Sequence, residues 1–344
     1  MSRSFGFDLS LLTISFSYLI LVTTHGAFTP LVTIVIQKYG IKTSFIISQV
    51  LLSFFLAFAS ITNNLFHYFI GFFIWGVAAA FWWVSYHYYF LEVGLKNKFG
   101  QEMSYLEILA ILISLIAPLF AGLIITFLGQ VYLFGAATII ILSSVTFLLM
   151  IKDFEKNAYV RVADILQESL SRKRDLLAFI GAGGEEIVYS VVWPLLLFIV
   201  FNDFIKLGIF SSVILLIAVV VTWLVGKLCD TTPKEKLEKV GSLVIGSTWL
   251  GKFLMQHPAA IFVLDSIYRI FYHLFSIPLT TLAYSHALHD NKIRYVVFRE
   301  LSYKLGNMLG LLLFILLIVL KMPFWSIFFF AAIFSVLPMI AKER

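Results

Sequence analysis

The strongest constraint on this chain is the spacing of its apolar runs. Eleven stretches, 10–36, 44–61, 66–91, 104–127, 131–150, 176–201, 207–225, 240–256, 260–286, 300–320 and 324–340, are each long and apolar enough to cross a bilayer as a helix. A spanning helix takes about 20 mainly apolar residues, with a range of about 17–25. Short charged islands separate the runs, and such islands must sit in water while their neighbours sit in lipid. The run 66–91 is too short to hold two spans. Composition agrees: 61% of the 344 residues are hydrophobic, 13% are charged, and the mean hydropathy is +0.98. Soluble domains carry roughly 25% charged residues, so these charges are too few to coat a soluble surface. The expected fold class is an all-α polytopic membrane protein with eleven transmembrane helices.

An odd number of spans puts the termini on opposite sides of the membrane. Nineteen of the 25 Lys and Arg residues fall in 37–43, 92–103, 151–175, 226–239, 287–299 and 341–344. Only Arg3, Lys206 and Lys321 fall on the other side, and Lys252, Arg269 and Lys304 lie inside spans. The positive-inside rule then makes the first set cytoplasmic, with the N-terminus outside and the C-terminus inside, in a prokaryotic plasma (inner) membrane. The net charge of +6 thus follows membrane sidedness and does not point to nucleic acid. The single cysteine, Cys229, excludes an intrachain disulfide and a cysteine-based metal cluster within one chain. The first apolar run far exceeds the roughly 7–15 residues of a signal-peptide core, so no cleavable signal is read.

The segment 151–175 divides the chain into an N-terminal bundle of five spans (1–150) and a C-terminal bundle of six (176–344). This cytoplasmic linker carries six basic and five acidic residues, with Val162, Ile165, Leu166 and Leu170 at helical spacing. It reads either as a short helix on the membrane surface or as a solvated charged loop. The halves resemble each other: Gln101-Glu102-Met103-Ser104-Tyr105 and Arg299-Glu300-Leu301-Ser302-Tyr303 each open a span, 198 residues apart. That offset pairs 10–36 with 207–225, 44–61 with 240–256, 66–91 with 260–286 and 131–150 with 324–340, and leaves 176–201 without a partner. An offset of 164 also matches short strings, but it places Lys38 and Lys42 outside and disrupts the later pairing. Parallel repeats of this size are a transporter plan.

The island Gly226-Lys227-Leu228-Cys229-Asp230 resembles the signature of the major facilitator superfamily, in which the cytoplasmic loop between the second and third spans of a half reads G-x-L-x-D-R-x-G-R-K. Gly226, Leu228 and Asp230 match its first part, and Thr231 to Lys234 depart from the rest. The equivalent first-half island keeps Lys38, Gly40 and Lys42 and lacks the earlier part. The resemblance implies two helical bundles, alternating access and gating by these loops. It also implies that the first family helix is missing, and with it one of the four spans (one, four, seven and ten) that line the family's cavity. Asp230 is expected near Arg294, Arg299 and the start of span 300–320, held by those arginines and the helix dipole.

Ionisable groups within a bilayer are costly, so each is a functional candidate. Glu185 and Glu186 lie about ten residues into span 176–201, roughly 15 Å along the helix and near the midplane. Gly181, Gly183, Gly184 and Pro194 around them suggest a bend or close packing. Adjacent residues point about 100° apart, so one glutamate is expected to face a cavity and carry a proton. The bland reading is a pair that binds a cation or caps a broken helix. Asp265, Arg269 and His273 stand at i, i+4 and i+8, on one face. They form either a substrate and proton relay, with Arg269 neutralising Glu186, or a structural pair beside a satisfied histidine. Trp75 and Trp82 are candidate cavity aromatics, whereas the aromatics from Tyr86 to Phe90 read as an interfacial belt. His25 lies inside a span with no partner that the sequence locates. Gly306 and Gly310 form a GxxxG pair suited to close packing.

The chain has no phosphate-cradling loop, zinc-protease motif, nucleophile elbow or paired metal-ligand spacing. It is read as no enzyme and as needing no cofactor. Its expected partners are a small-molecule solute, protons and the lipid bilayer. The function expected is secondary active transport of a small organic solute, coupled to protons. Two alternatives stay open: a non-transporting scaffold of this fold, and an intramembrane enzyme or lipid-handling protein.

Overall fold

The computed structural model describes residues 5–61, 64–153, 160–200, 204–255 and 257–342. The outer-side marker Arg3 lies outside them. Among the described residues twelve α-helices follow in order: α1 (Phe5–Ile61), α2 (Leu65–Val93), α3 (Phe99–Phe127), α4 (Gln130–Leu148), α5 (Val162–Ser171), α6 (Lys173–Ile187), α7 (Trp193–Val200), α8 (Phe204–Thr231), α9 (Lys234–Leu254), α10 (Pro258–Leu288), α11 (Lys292–Val319) and α12 (Ile327–Val336). A π-helical turn, Val188–Val192, joins α6 to α7, and 3-10 turns flank α12. There is no strand among the described residues.

Among the described residues, eight helices are long and apolar enough to cross a membrane, and Phe324–Ile340 forms a shorter apolar helical segment. The eleven expected runs map onto these helices unevenly. Helix α1 carries both 10–36 and 44–61. Helix α9, which carries the run 240–256, is not among the eight, and Lys234, Glu235, Lys236, Glu238 and Lys239 occupy its first two turns.

The chain folds as two compact units. Unit 1 comprises Met1–Val93, Ile116–Ser171 and Asp290–Lys304, and unit 2 comprises Gly94–Leu115, Arg172–His289 and Leu305–Arg344. In unit 1, α2 and α4 pack on α1. Small hydroxyl side chains knit the first pair: Ser48 donates to the Ala78 carbonyl (2.8 Å) and Ser85 to Ser44 (2.6 Å). Such pairs let helices approach closely where lipid supplies no hydrophobic drive between them.

The expected loop at 37–43 is a kink. Gly40 alone leaves helical geometry (φ 83°, ψ 164°), and a Cβ there would also collide with the Asp153 carboxylate. Asp153 Oδ1 accepts from the Lys42 backbone N–H (3.2 Å), and Lys42 Nζ donates to the Leu149 carbonyl at the end of α4 (2.8 Å). The first bond serves an N–H that the kink leaves orphaned, and the second serves a carbonyl left open at the end of α4. Lys38 is exposed beside the kink.

Unit 2 is built around α6, α8, α9, α10 and α12. Gly306 and Gly310 of α11 lie against Ile180, Gly184 and Ile187 of α6, and a Cβ at Gly306 would run into the Ile180 carbonyl oxygen. The second expected loop, 226–239, is also largely helical. Helix α8 continues to Thr231, so Gly226, Leu228 and Asp230 occupy its last turns. Gly226 and Asp230, four residues apart, share a face that meets the start of α3. Leu228 points elsewhere and is exposed. In the linker, residues 154–159 lie outside the described part, and α5 forms with Ile165 buried and Leu166 and Leu170 exposed.

Candidate functional site

Of the bend or close packing expected around the paired glutamates, close packing is seen at Gly181 and Gly184, against Leu337 and Phe334, and a π-helical turn follows. One extra residue in the turn, followed by Pro194, shifts the register of the helix just after Glu185 and Glu186, and such turns recur at functional sites. The two glutamates diverge as their 100° offset requires. Glu185 is fully buried and Glu186 partly so. Glu185 Oε1 accepts hydrogen bonds from Trp249 Nε1 of α9 (2.8 Å) and from the Tyr268 hydroxyl of α10 (2.7 Å). Its other oxygen, Oε2, is buried without a hydrogen-bond partner among the described residues. Glu186 Oε2 accepts from Asn307 Nδ2 (2.8 Å), which also donates to the Gly183 carbonyl (2.7 Å).

Beside Glu185 sits an ionic triad. Lys252 of α9 is fully buried and donates to Asp265 Oδ1 (3.1 Å), while Arg269 Nε donates to Asp265 Oδ2 (2.7 Å). One carboxylate therefore serves two cations. The Lys252 ammonium also lies within 3.8 Å of the Trp193 ring centre, 4.3 Å of Trp249 and 4.8 Å of Tyr268. Aromatic faces at this range attract a cation most strongly when it is desolvated, by about 2 kcal/mol or more. They would favour the charged form of a lysine that has no exposed surface and shares its one carboxylate with Arg269.

A ladder of tyrosines leads away from Glu185. Tyr189 stacks on Tyr268 (4.3 Å between ring centres, 25° between planes), and Tyr272 lies 5.6 Å from Tyr268 and 5.9 Å from Tyr189. Tyr268 is buried, whereas Tyr189, Tyr272 and Arg269 are partly exposed. The arrangement places an accessible aromatic and cationic edge above a buried carboxylate, joined to it by one phenol.

The other candidates are distributed differently. Asp265 and Arg269 come together with Lys252, and Arg269 does not reach for Glu186, whose partner is the Asn307 amide. His273 is buried on α10 with Nδ1 unbonded among the described residues, edge-on to Tyr272. Trp75 stacks on Phe55 (5.1 Å, 21°), and Trp82 packs edge-on against Phe45 (5.3 Å) within unit 1. Asp230 takes partners other than those expected. Its two oxygens accept from the backbone N–H groups of Gly100 (2.8 Å) and Gln101 (3.0 Å) at the start of α3. A helix N-terminus offers free N–H groups and the positive end of its dipole, and α3 supplies both to Asp230. Arg294 and Arg299 pair instead with Glu168 (3.1 Å) and with Glu300.

Sequence reasoning assigned no role to Lys252, Trp249, Tyr268 or Tyr189. The available signal was the intramembrane position of Lys252, which marks an ionisable group that needs a partner. The residues of the tyrosine ladder carry no comparable mark, because aromatic residues are common throughout the chain.

The Major Facilitator Superfamily model matches residues 1–289. Among solved structures, the human organic anion transporter MFSD10 (TETRAN) has a TM-score of 0.74 at 12% identity, covering 96% of this chain and 82% of that one. The proton:xylose symporter XylE gives 0.73 at 13%, covering 94% and 84%. The E. coli fucose:proton symporter FucP gives 0.67 at 12%, covering 98% of both chains. At these identities the likeness is one of fold. No curated protein matches the sequence. A family match over most of the length and the same all-helical fold in each of these structures lead to one conclusion: this integral membrane chain belongs to the major facilitator superfamily, a family of membrane transporters.

Proposed function

We propose that the chain is a secondary active transporter that moves a small organic solute by alternating access, with Glu185 carrying the coupled proton. The observation that supports this most is the environment of Glu185. It is a carboxyl with no exposed surface, with one oxygen doubly hydrogen-bonded and the other unbonded among the described residues. The unbonded Oε2 is where a proton would sit, and the two donors on Oε1 favour the ionised form once the proton leaves. Solute would engage the partly exposed edge of Tyr189, Tyr272 and Arg269. Its arrival would be felt at Glu185 through Tyr268, which belongs to both the ladder and the carboxyl. Asp265 and Lys252 hold Arg269 in place for that contact.

The same reading retains the organisation drawn from the sequence: bundles at 1–150 and 176–344, the linker 151–175, five plus six spans, and a plasma-membrane location with the C-terminus cytoplasmic. The asymmetry of Lys and Arg supports it. The solutes named for the structural relatives are an organic anion and two sugars, so the shared fold does not select a solute class. The test is reconstitution into liposomes holding a pH-sensitive dye, with xylose, fucose, a dicarboxylate and an organic ammonium added in turn. At least one solute class should drive proton movement. A panel that moves solute with no accompanying proton would remove proton coupling.

A further inference from the structure

Unit 1 holds a second buried ionisable cluster that the transport reading does not use. Glu300 of α11 has 3% of its surface exposed, and side chains from three helices converge on it. His25 of α1 brings Nε2 to 3.5 Å from Oε2, and His87 of α2 brings Nε2 to 3.5 Å from Oε1. Arg299 Nη1 donates to the same Oε1 (2.5 Å) and lies 2.9 Å from His87 Nε2.

The chemistry of that last contact fixes the state of the ring. A guanidinium has donors and no acceptor. His87 Nε2 must therefore accept, so the imidazole is neutral and carries its proton on Nδ1. A proton arriving at Nε2 would leave two donors facing each other, and the bond to Arg299 could not persist. The acceptor then nearest to the new N–H is Glu300 Oε1. Arg299 and a proton are thus alternative occupants of one nitrogen lone pair.

We propose that His87 Nε2 is a proton-binding site in which the proton displaces Arg299. Uptake of the proton from water breaks the Nη1–H···Nε2 hydrogen bond between α11 and α2 and forms an Nε2–H···Oε1 bond to Glu300. No covalent bond other than N–H changes. The groups facing His87 are His25 from α1 and Arg299, Glu300 and Lys304 from α11. On α2, Trp83 stacks on the ring (5.7 Å, 23°), Tyr86 meets it edge-on, and Glu92 is paired with Lys292 (3.0 Å). Helix α4, which packs on α1, carries no ionisable side chain but Tyr132. His25 of α1 stays beside the opposite carboxylate oxygen, 3.5 Å away, while Oε1 changes partner. The proposal is independent of Glu185, which lies in unit 2.

Trp83 provides the readout, because a charged imidazolium stacked on an indole quenches its fluorescence more than a neutral imidazole does. Purified full-length protein in detergent is titrated from about pH 8 to about pH 4, across the imidazole range. The contribution of Trp83 is isolated by subtracting the Trp83→Phe variant, which alters a 42%-exposed side chain and leaves the core intact. In Arg299→Gln the quench should appear about one pH unit or more above its position in the unaltered protein, since a competing cationic donor is gone. Glu300→Gln should move it to lower pH, and His87→Gln should abolish it. Equal midpoints with and without Arg299, a quench that survives His87→Gln, or no Trp83-dependent quench in either the unaltered protein or Arg299→Gln would each overturn the proposal.

Discussion

Tyr268 donates its hydroxyl to Glu185 at 2.7 Å while its ring stacks 4.3 Å from Tyr189. One side chain therefore touches both the buried carboxyl and the accessible aromatic edge. In Tyr268→Phe the stack persists and only the hydrogen bond is lost. A hydrogen bond to a charged group contributes about 1.5–3 kcal/mol, which corresponds to a loss of about tenfold or more in proton-driven transport. Transport assays on reconstituted protein should show this loss with solute binding largely kept. An unchanged rate would separate Tyr268 from coupling.

The triad of Lys252, Asp265 and Arg269 predicts an unequal stability response. Asp265→Ala leaves two cations facing each other, one of them with no exposed surface. Removing one partner of a buried ion pair costs about 3–5 kcal/mol. Lys252→Met should cost less, because Arg269 still neutralises Asp265 and the aromatic rings accept a thioether. Thermal unfolding in detergent orders the two variants, and a Lys252→Met protein less stable than Asp265→Ala contradicts the geometry.

Glycine replacements should divide by what they meet. A methyl group at Gly306 strikes the Ile180 backbone, whereas one at Gly122 meets nothing within 4 Å. Gly306→Ala should lower the unfolding temperature sharply. Gly122→Ala should hold it or raise it, since alanine exceeds glycine in helix propensity by about 1 kcal/mol. Equal responses would mean that α11 and α6 are not packed at this crossing.

Sidedness is checked with single cysteines in a Cys229→Ser background. Lys96 and Lys321 are both exposed. A membrane-impermeant thiol reagent should reach Lys321→Cys in intact cells and Lys96→Cys only after permeabilisation. The reverse pattern would invert the orientation.

The helices are legible in the sequence because length and apolarity alone force them in lipid. The exceptions have local causes. Gly40 reads as a loop because two lysines flank it, yet one residue with positive φ suffices to turn the chain. The signature at Gly226 and Asp230 also reads as a loop, but its i, i+4 spacing belongs on a helix face, and the face meets α3. The partners of Asp230 and His25 are distant in sequence, separated by 129 or 130 residues in the first case, and no local pattern encodes such distances. For Glu185 the sequence shows an intramembrane carboxyl. Only the fold shows Trp249 and Tyr268 sharing one oxygen and leaving the other open.

Whether Glu185 carries the coupled proton is decided by Glu185→Gln. An amide keeps the shape and an acceptor for Trp249 and Tyr268 but cannot lose a proton. With a solute that the reconstitution panel has shown to be moved, two quantities are measured in the same proteoliposomes: solute exchange across the bilayer without a gradient, and solute-driven proton movement reported by the trapped dye. Exchange should continue in Glu185→Gln while proton movement disappears. Proton movement that persists in Glu185→Gln, in step with the solute, would contradict it.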